Sequence, residues 1–408
     1  MRRGLVAVVA VVLAATAACG GSAGGGGGGA GNGGGGTSKG GENGAPKVTI
    51  TPGNGAQKAR PDQGIVVTAA GGTLQSVTVK AAGAAVPGTM SADHLTWRSK
   101  WTLTPGASYE ASASAAGTGG KTTTATSTFR TLKPAVPLTI TDVTPNRGEV
   151  VGVGMPITVL FNRSVGNKAA VERALEIHST KPAVGAWLWV NDREVIFRTK
   201  NGSYWHANQK VSFTAHLAGV KAGNGVYGST DVTHNFRIGD SHIITVNSKT
   251  DRLVVKKNGK VFKTWGVSLG TGGDVQSDGV DHLLTTSGVH LTMAKSRVER
   301  MISPGKKKGD PGYYDEKVPY ATRISNSGEY IHQNMDDPTC LGNRNCSHGC
   351  VRSPAASAQW FYGWAYRGDV VIITGTNRQL GWDNGWGYYQ KPWKQWVKGS
   401  ALNASVTT

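Results

Sequence analysis

The sequence has little acid, few cysteines and no apolar run long enough to span a membrane comfortably. Aspartate and glutamate total 25 residues against 44 lysines and arginines, giving a formal net charge of +19. This charge favours polyanionic surroundings such as anionic lipid or cell-envelope polymers, although a solvated basic surface with no single partner is the simpler alternative. No DNA- or RNA-binding motif is present, so nucleic acid is not predicted as a partner.

The composition predicts a turn-rich β protein rather than a helical one. Only 38% of the residues are hydrophobic and 59 are glycine. A chain of 408 residues is long enough for two to four domains, each with its own core.

The first residues read as an export signal. Arg2 and Arg3 precede an apolar stretch over residues 5–13, and small residues then lead to Cys19. We expect residues 1–18 to be a lipoprotein signal peptide, with lipidation of Cys19 anchoring the protein to the outer face of the cytoplasmic membrane. Ordinary secretion, with Cys19 removed or incidental, is the alternative.

The cysteine count predicts a free thiol. Four cysteines are present, and Cys340, Cys346 and Cys350 remain when Cys19 is set aside. In an oxidising compartment three cysteines can close at most one pair, so one thiol is left over and is a candidate for reactivity.

The chain divides by composition. Residues 19–46 are mostly glycine and predict a flexible tether. Residues 47–133 and 134–239 show short alternating runs rich in valine and threonine, which predict two tandem Ig-like β-sandwiches serving as spacers.

A different pattern begins at Asp240. Residues 240–375 predict a β-rich domain, with a hairpin turn at Asn258-Gly259 and a helix capped by Ser353. Residues 376–408 form a Trp-rich extension, expected to pack on its own domain or to offer a sugar-stacking platform.

The chemistry-bearing residues are concentrated in "IHQN…CSHGCVR". His332 follows an apolar strand residue, and Cys350 lies 18 residues later. A cysteine needs a base or a cationic neighbour to become a nucleophile, and His332 can supply it. Backbone amides of the tight "SHGC" turn could form an oxyanion hole.

These residues resemble the signature of L,D-transpeptidases with a YkuD-type catalytic domain. The strand "SNSGEYIH", the helix and strand after Cys350, the opening "EVVGVGMPITVLFN" of the second module and the Trp-rich end are similar to those of mycobacterial members. The resemblance covers roughly residues 47–400.

The resemblance implies a role for each motif residue. Cys350 would attack the peptide bond between the third stem residue of peptidoglycan and its terminal D-alanine, and His332 would transfer the proton. The resulting thioester would acylate a neighbouring stem amine, giving a 3→3 cross-link. Ser347, His348 and Gly349 would shape the oxyanion pocket, although His348 could instead be a buried histidine that fixes the turn.

The resemblance also implies residues that line the substrate pocket. Tyr313, Ser327 and Gly328 match such positions, with Tyr314 as the alternative to Tyr313. Arg352 would hold a stem carboxylate, or else form an ion pair.

The loop before the motif departs from the family pattern by adding Cys340 and Cys346. With Cys350 assigned to catalysis, we expect a Cys340–Cys346 disulfide that restrains this loop. A zinc site using His332, His348 and the three cysteines is the alternative, but its spacing matches no common structural zinc pattern. We therefore expect no metal and no cofactor.

Three other functions compete with transpeptidation. Water or a free D-amino acid could accept the same acyl group, giving carboxypeptidase or exchange activity. A wall-binding lipoprotein with an inactive catalytic domain is the non-enzymatic alternative. A papain-like protease would need its cysteine ahead of its histidine. We expect a monomer whose partners are peptidoglycan stem peptides and anionic envelope polymers.

Overall fold

The computed structural model describes residues 44–303, 305–310 and 313–408. The predicted signal peptide, the lipidation site at Cys19 and most of the predicted tether lie outside these residues. Residues 44–408 form one compact unit. No helix among the described residues is long and apolar enough to cross a membrane.

The first part of this unit is a β-sandwich. Its strands are β1 (Lys47–Thr51), β2 (Val66–Ala70), β3 (Thr73–Ala81), β4 (Ala84–Ala85), β5 (Gly88–Met90), β6 (Thr96–Ser99), β7 (Ser108–Ala116) and β8 (Thr122–Arg130), with a 3-10 turn at Pro61–Gln63. The two sheets have the orders β1-β2-β6-β5 and β4-β3-β7-β8. Alternate residues of β7, such as Tyr109 and Ala111, face the core, which is the period-two pattern seen in the sequence.

A second sandwich follows. Its elements are β9 (Val136–Leu138), β10 (Ile140–Thr144), β11 (Val150–Val151), β12 (Ile157–Phe161), α1 (Lys168–Arg173), β13 (Leu175–Ser179), β14 (Val184–Trp189), β15 (Glu194–Thr199), β16 (Gln209–Ala215), β17 (Lys221–Gly223), β18 (Val226–Gly228) and β19 (Val232–Ile238). The main sheets are β10-β12-β15-β14 and β11-β19-β16-β13, and β17-β18-β9 form a small third sheet. Trp101 of the first sandwich stacks on His216 of the second, with ring centroids 3.8 Å apart.

The third part contains two sheets around one helix. Its elements are β20 (His242–Asn247), β21 (Arg252–Lys257), β22 (Lys260–Gly266), β23 (Gly288–Leu291), β24 (Lys295–Ile302), β25 (Asp315–Arg323), β26 (Tyr330–Gln333), β27 (Val351–Ser353), α2 (Ala355–Trp364) and β28 (Val370–Thr374), with a 3-10 turn at Pro338–Cys340. The orders are β22-β21-β20-β28-β23 and β24-β25-β26-β27. Phe361 of α2 is buried in the core with Ile331 and Val351.

The helix begins differently from the sequence prediction. Ser353 is the last residue of β27, and Pro354 occupies the cap position before Ala355. The Ser353 hydroxyl instead accepts a hydrogen bond from the Trp265 indole at 3.1 Å.

Close backbone contact joins the second sandwich to the third part. The Gly152 and Gly154 amides donate to the carbonyls of Arg367 and Gly368 at 2.7 and 2.9 Å. A Cβ at Gly152 would lie 2.3 Å from the Asp369 nitrogen, so a side chain at this position would separate the two surfaces.

The Trp-rich extension packs mainly on the second sandwich. It contains a 3-10 turn (Gly387–Gln390), α3 (Trp393–Lys398) and β29 (Val406–Thr407), and β29 pairs antiparallel with β14. Trp396 is fully buried with Ala186, Leu188 and Ile196. The expectation that this extension packs on its own domain was therefore wrong for most of its apolar residues. The local sequence shows that these residues need an apolar partner but does not show which domain provides it.

Candidate active site

The residues of the sequence motif line one cavity of about 400 Å³ in the third part of the chain. The wall includes the predicted residues His332, Ser347, His348, Cys350, Ser327, Gly328 and Arg352. It also includes Tyr314, which was the alternative to Tyr313. The structure therefore brings together residues that are up to 38 positions apart in sequence (352 − 314).

Two short parallel strands place the histidine and the cysteine together. Ile331 of β26 pairs with Val351 of β27, and His332 pairs with Arg352. Cys350 immediately precedes β27, so it lies one step back along the ladder, near Tyr330. The Tyr330 backbone N–H points to the Cys350 sulfur, which lies 3.6 Å from the Gly328 carbonyl oxygen.

The orientation of the His332 ring fixes which nitrogen can act as a base. Nδ1 lies 2.6 Å from the Gln333 carbonyl oxygen, and only a protonated Nδ1 can donate there. Nε2 then carries the lone pair that can accept a proton. Burial lowers the pKa of His332 to about 4, and the nearby Arg352 cation contributes in the same direction. The ring is therefore neutral near neutral pH.

The cysteine is also neutral at rest. Burial raises the pKa of the Cys350 thiol to about 12, with Glu329 adding to the rise, while the Tyr330 N–H opposes it. Both shifts favour an uncharged thiol and an uncharged imidazole on the wall of one cavity.

Ser347 ties the turn that carries Cys350. Its hydroxyl donates to the Cys350 carbonyl at 2.6 Å and accepts from the Gly349 amide at 3.1 Å. The Ser347 backbone is held in turn, because its amide donates to Leu269 and its carbonyl accepts from Thr271, both at 2.9 Å. Gly349 has φ +128°, a backbone conformation that residues with a side chain rarely adopt.

Two aromatic rings flank the cavity. His348 stacks on Tyr314 with ring centroids 4.8 Å apart. Partial desolvation in the cavity wall, not full burial, lowers the pKa of His348, and desolvation likewise raises that of Tyr314. The interpretation of His348 as a buried histidine is wrong, because the residue is exposed and lines the cavity.

Arg352 is already engaged by a carboxylate of the chain. Its side chain is only 6% exposed, and Nη1 lies 2.5 Å from Oδ2 of Asp336. The same nitrogen donates to the Cys346 carbonyl at 3.3 Å. Arg352 therefore forms an ion pair, although a buried one and not the expected surface pair, and its binding of a stem carboxylate stays a prediction.

The structure joins Cys340 and Cys346 in a disulfide and leaves the Cys350 thiol free. This bond uses two of the five residues that a zinc site would have needed. Among the described residues, no three His, Cys, Asp or Glu side chains lie close enough to hold a metal ion.

The chain is similar to two known domain families and to known proteins. The profile of the L,D-transpeptidase catalytic domain (YkuD) matches residues 241–373, and the profile of a bacterial Ig domain (Big_10) matches residues 56–221. L,D-transpeptidase 2 of Mycobacterium tuberculosis (strain CDC 1551 / Oshkosh) is 35% identical over 358 residues, which cover 87% of this chain and 85% of the relative.

The chain belongs to the YkuD L,D-transpeptidase family. L,D-transpeptidase 5 of Mycobacterium tuberculosis (strain ATCC 25618 / H37Rv) is 30% identical over 88% of this chain and 78% of the relative. A solved LD transpeptidase, LdtMt1 in complex with imipenem, is 27% identical over 58% of this chain and 98% of that chain, with a TM-score of 0.48. The family resemblance and the mainly β fold class are confirmed. The single Ig match spans most of both sandwiches, so the count of two Ig-like domains stays a prediction.

Sequence reasoning missed the groups that support the YkuD site. Glu329 is buried behind it and accepts hydrogen bonds from the Thr286 amide and hydroxyl at 2.6 and 2.7 Å. Asn384 of the Trp-rich extension exchanges two hydrogen bonds of 2.9 Å with Ser327. Nothing in the spacing of these residues distinguishes them from ordinary loop residues, and each acts through a contact that is distant in sequence.

Proposed function

We propose that this enzyme is a peptidoglycan L,D-transpeptidase in which Cys350 is the nucleophile and His332 the general base. The observation that carries the proposal is the placement of the Cys350 thiol and the Nδ1-protonated His332 on one cavity of an L,D-transpeptidase catalytic domain. No finding favours carboxypeptidase or exchange activity, or an inactive wall-binding protein, over this function.

In the first half of the reaction, the Cys350 sulfur attacks the carbonyl carbon between the third stem residue and the terminal D-alanine. His332 Nε2 takes the thiol proton as the carbon–sulfur bond forms. The carbon–nitrogen bond then breaks, and the proton passes from His332 to the departing amine. D-alanine leaves, and a thioester on Cys350 remains.

In the second half, the side-chain amine of a neighbouring stem attacks the thioester carbonyl. His332 accepts a proton from this amine and returns one to the Cys350 sulfur when the carbon–sulfur bond breaks. The product is a 3→3 cross-linked pair of stems, and the thiol is regenerated. The reaction needs no cofactor for its atom or charge balance.

Two features of the site suit this sequence. With a neutral thiol and a neutral imidazole, proton removal accompanies sulfur attack, and the charges that develop are an imidazolium on His332 and an oxyanion on the attacked carbonyl. The turn tied by Ser347 fixes the backbone beside Cys350, and because the Gly349 amide already donates to Ser347, the neighbouring amides of this turn would donate to the oxyanion. Tyr314, Ser327 and Gly328 line the space that the donor stem would occupy.

We further propose the cellular setting that the sequence predicts. Lipidation of Cys19 would anchor the protein outside the cytoplasmic membrane, with residues 19–46 as a tether and the two sandwiches, residues 47–133 and 134–239, as spacers. The catalytic domain, residues 240–375, and the Trp-rich extension, residues 376–408, would then act in the cell wall on stem peptides. The basic surface would hold the enzyme, as a monomer, near anionic envelope polymers.

Intact-mass spectrometry with a tetrapeptide donor tests the mechanism. We expect one acyl adduct on Cys350 with release of one D-alanine, no adduct on Cys350→Ala, and transfer of the acyl group when a stem amine is added. A carbapenem provides a second acylating probe. Absence of any adduct at a demonstrably reduced Cys350 would overturn the proposal, whereas release of the adduct by water alone would identify a carboxypeptidase.

A further inference from the structure

The hairpin formed by β21 and β22 projects a continuous exposed segment from the catalytic domain. Its turn, Asn258-Gly259, has φ values of +49° and +82°, as a type I′ hairpin requires. All residues over 258–264 are exposed, and β22 is an outermost strand of its sheet. We call residues 256–263 the hairpin tip.

Two large apolar side chains of the hairpin tip face solvent. Val261 is 65% exposed and Phe262 is 50% exposed. A bulge causes this arrangement, since Val255 pairs with Lys263 and Lys256 with Val261, which leaves Phe262 without a partner in the ladder. A contiguous exposed apolar patch rimmed by polar residues is a mark of a contact surface.

Aromatic rings extend this apolar surface onto α2. Phe262 lies 5.9 Å from Trp360 and 6.0 Å from Trp364, and the two tryptophan rings stack 4.7 Å apart. Both tryptophans are only partly buried. Helix α2 itself contains no charged residue.

The charged side chains of the two strands are all positive, while Asp240 from outside them accepts a hydrogen bond from Asn258 at 2.8 Å. Lys256, Lys260 and Lys263 are exposed, and β21, the turn and β22 together contain no acidic residue. Lys263 lies over the Trp360 ring at 4.8 Å. A fourth lysine, Lys257, is paired with Asp240 at 2.9 Å.

We propose that the hairpin tip docks onto an anionic lipid membrane. Lysines beside exposed apolar and aromatic groups match the interface of such a membrane, where headgroups attract the cations and the acyl boundary accepts Val261 and Phe262. A soluble polyanion would engage the lysines but offers no apolar phase for Val261. Strand addition by another protein is opposed, because β22 is bulged and bears lysines.

This surface is distinct from the cavity of His332 and Cys350, so the inference is independent of the proposed acyl transfer. It also does not depend on lipidation, since it concerns residues of the folded catalytic domain. The proposal means that the catalytic domain itself contacts the membrane.

Vesicle cosedimentation tests the proposal on the chain beginning at Gly44, which retains the whole described compact unit and lacks the apolar stretch over residues 5–13. We expect binding to phosphatidylcholine vesicles that contain phosphatidylglycerol, with little binding to pure phosphatidylcholine. Lys260→Gln with Lys263→Gln should weaken binding about 30-fold. Val261→Asn with Phe262→Ser should weaken it at least about tenfold.

Matched controls lie on the first sandwich. Lys47→Gln with Lys80→Gln, and Leu95→Asn, alter exposed residues of the same types and should leave vesicle binding within about twofold. Unchanged melting temperatures and unchanged Cys350 acylation would show that the hairpin variants are folded. Equal losses in the control variants would overturn the proposal. So would vesicle binding that depends on the lysines but not on Val261 and Phe262, which would indicate a polyanion site instead.

Discussion

Arg352 lies directly opposite His332 on the neighbouring parallel strand, and its guanidinium is paired with Asp336 of the loop that follows His332. The guanidinium lowers the pKa of His332, while the Asp336 carboxylate opposes that effect. The loop carboxylate therefore offsets the effect of the Arg352 cation on His332, the proposed base.

Asp336→Asn should destabilise the protein and leave the His332 ring harder to protonate. The buried Arg352 would lose its carboxylate partner, at a cost of about 1–2 kcal/mol in the free energy of unfolding. The pKa of His332 should fall further, which makes Nε2 a weaker base, so slower removal of the Cys350 thiol proton should lower the rate of donor acylation. Chemical denaturation and the acylation rate measure the two effects, with Asp142→Asn, an exposed site on the second sandwich, as the control. An unchanged protein would show that Arg352 does not need Asp336.

The neutral resting pair predicts a specific pH dependence of alkylation. Because the pKa of Cys350 is raised to about 12 and that of His332 is lowered to about 4, iodoacetamide should react faster as pH rises through 9, with no plateau near neutral pH. The pKa of the Cys350 thiol in the unfolded chain is 9.0, so this thiol ionises at a lower pH in the unfolded chain than in the folded protein. The free energy of unfolding should therefore fall as pH rises above 9.0. If alkylation by iodoacetamide already reaches its maximal rate at pH 6–7, Cys350 is a thiolate there and forms an ion pair with His332.

Removal of the disulfide should reduce activity without abolishing it. Cys340→Ser with Cys346→Ser opens a loop of six-residue separation, which in the chain-entropy model contributes about 2 kcal/mol. The Cys346 amide still donates to the Ser268 hydroxyl at 2.9 Å, so the segment leading to Cys350 keeps one anchor. Donor acylation kinetics of the double variant provide the measurement. Complete loss in a folded variant would assign the disulfide an essential role.

Asn384 should influence donor binding from outside the catalytic core. Asn384→Ala removes both hydrogen bonds to Ser327, so we expect the KM for the donor to rise several-fold while kcat changes little. Asn326→Ala, at the exposed residue next to Ser327, is the matched control. A loss confined to kcat would contradict a role in positioning Ser327.

Arg198 should hold the Trp-rich extension in place. Its buried guanidinium donates to the Lys391 carbonyl at 2.8 Å and lies 4.4 Å from the centroid of the Trp396 ring. Arg198→Ala should lower the apparent free energy of unfolding by about 3 kcal/mol and expose the extension to proteases. Arg237→Ala, at an exposed arginine of the same sandwich, should have little effect. Equal protease resistance of both variants would rule out the anchoring role.

Local patterns in the sequence were sufficient to predict many of the strands and the two candidate reactive residues. Alternation in stretches such as "SYEASASAA" predicted β7, and the Asn-Gly pair predicted the turn between β21 and β22. The motif around Cys350 and His332 named the two groups that the structure places on one cavity. In each case a short stretch of chain carries the information.

Relationships distant in sequence could not be predicted. The Trp-rich extension follows the catalytic domain along the chain, yet Trp396 is buried against β14, more than 200 residues earlier (396 − 189 = 207). A stem carboxylate and an ion pair were both open for Arg352, because nothing in the spacing shows that Asp336 reaches its guanidinium. Tyr314 rather than Tyr313 lines the cavity, a one-residue choice that depends on the course of the preceding loop.

The pairing of β29 with β14 means that the catalytic domain is connected at both ends to the same neighbour. The chain leaves the second sandwich at β19 and returns to it at β29, where Thr407 pairs with Val184 and Val406 with Gly185. If the wall to which an acylated stem belongs is pulled, the tension passes from Cys350 into a domain held by two attachments rather than one. The force is then divided between two connections to the second sandwich, so the strands that position His332 and Cys350 do not carry all of it.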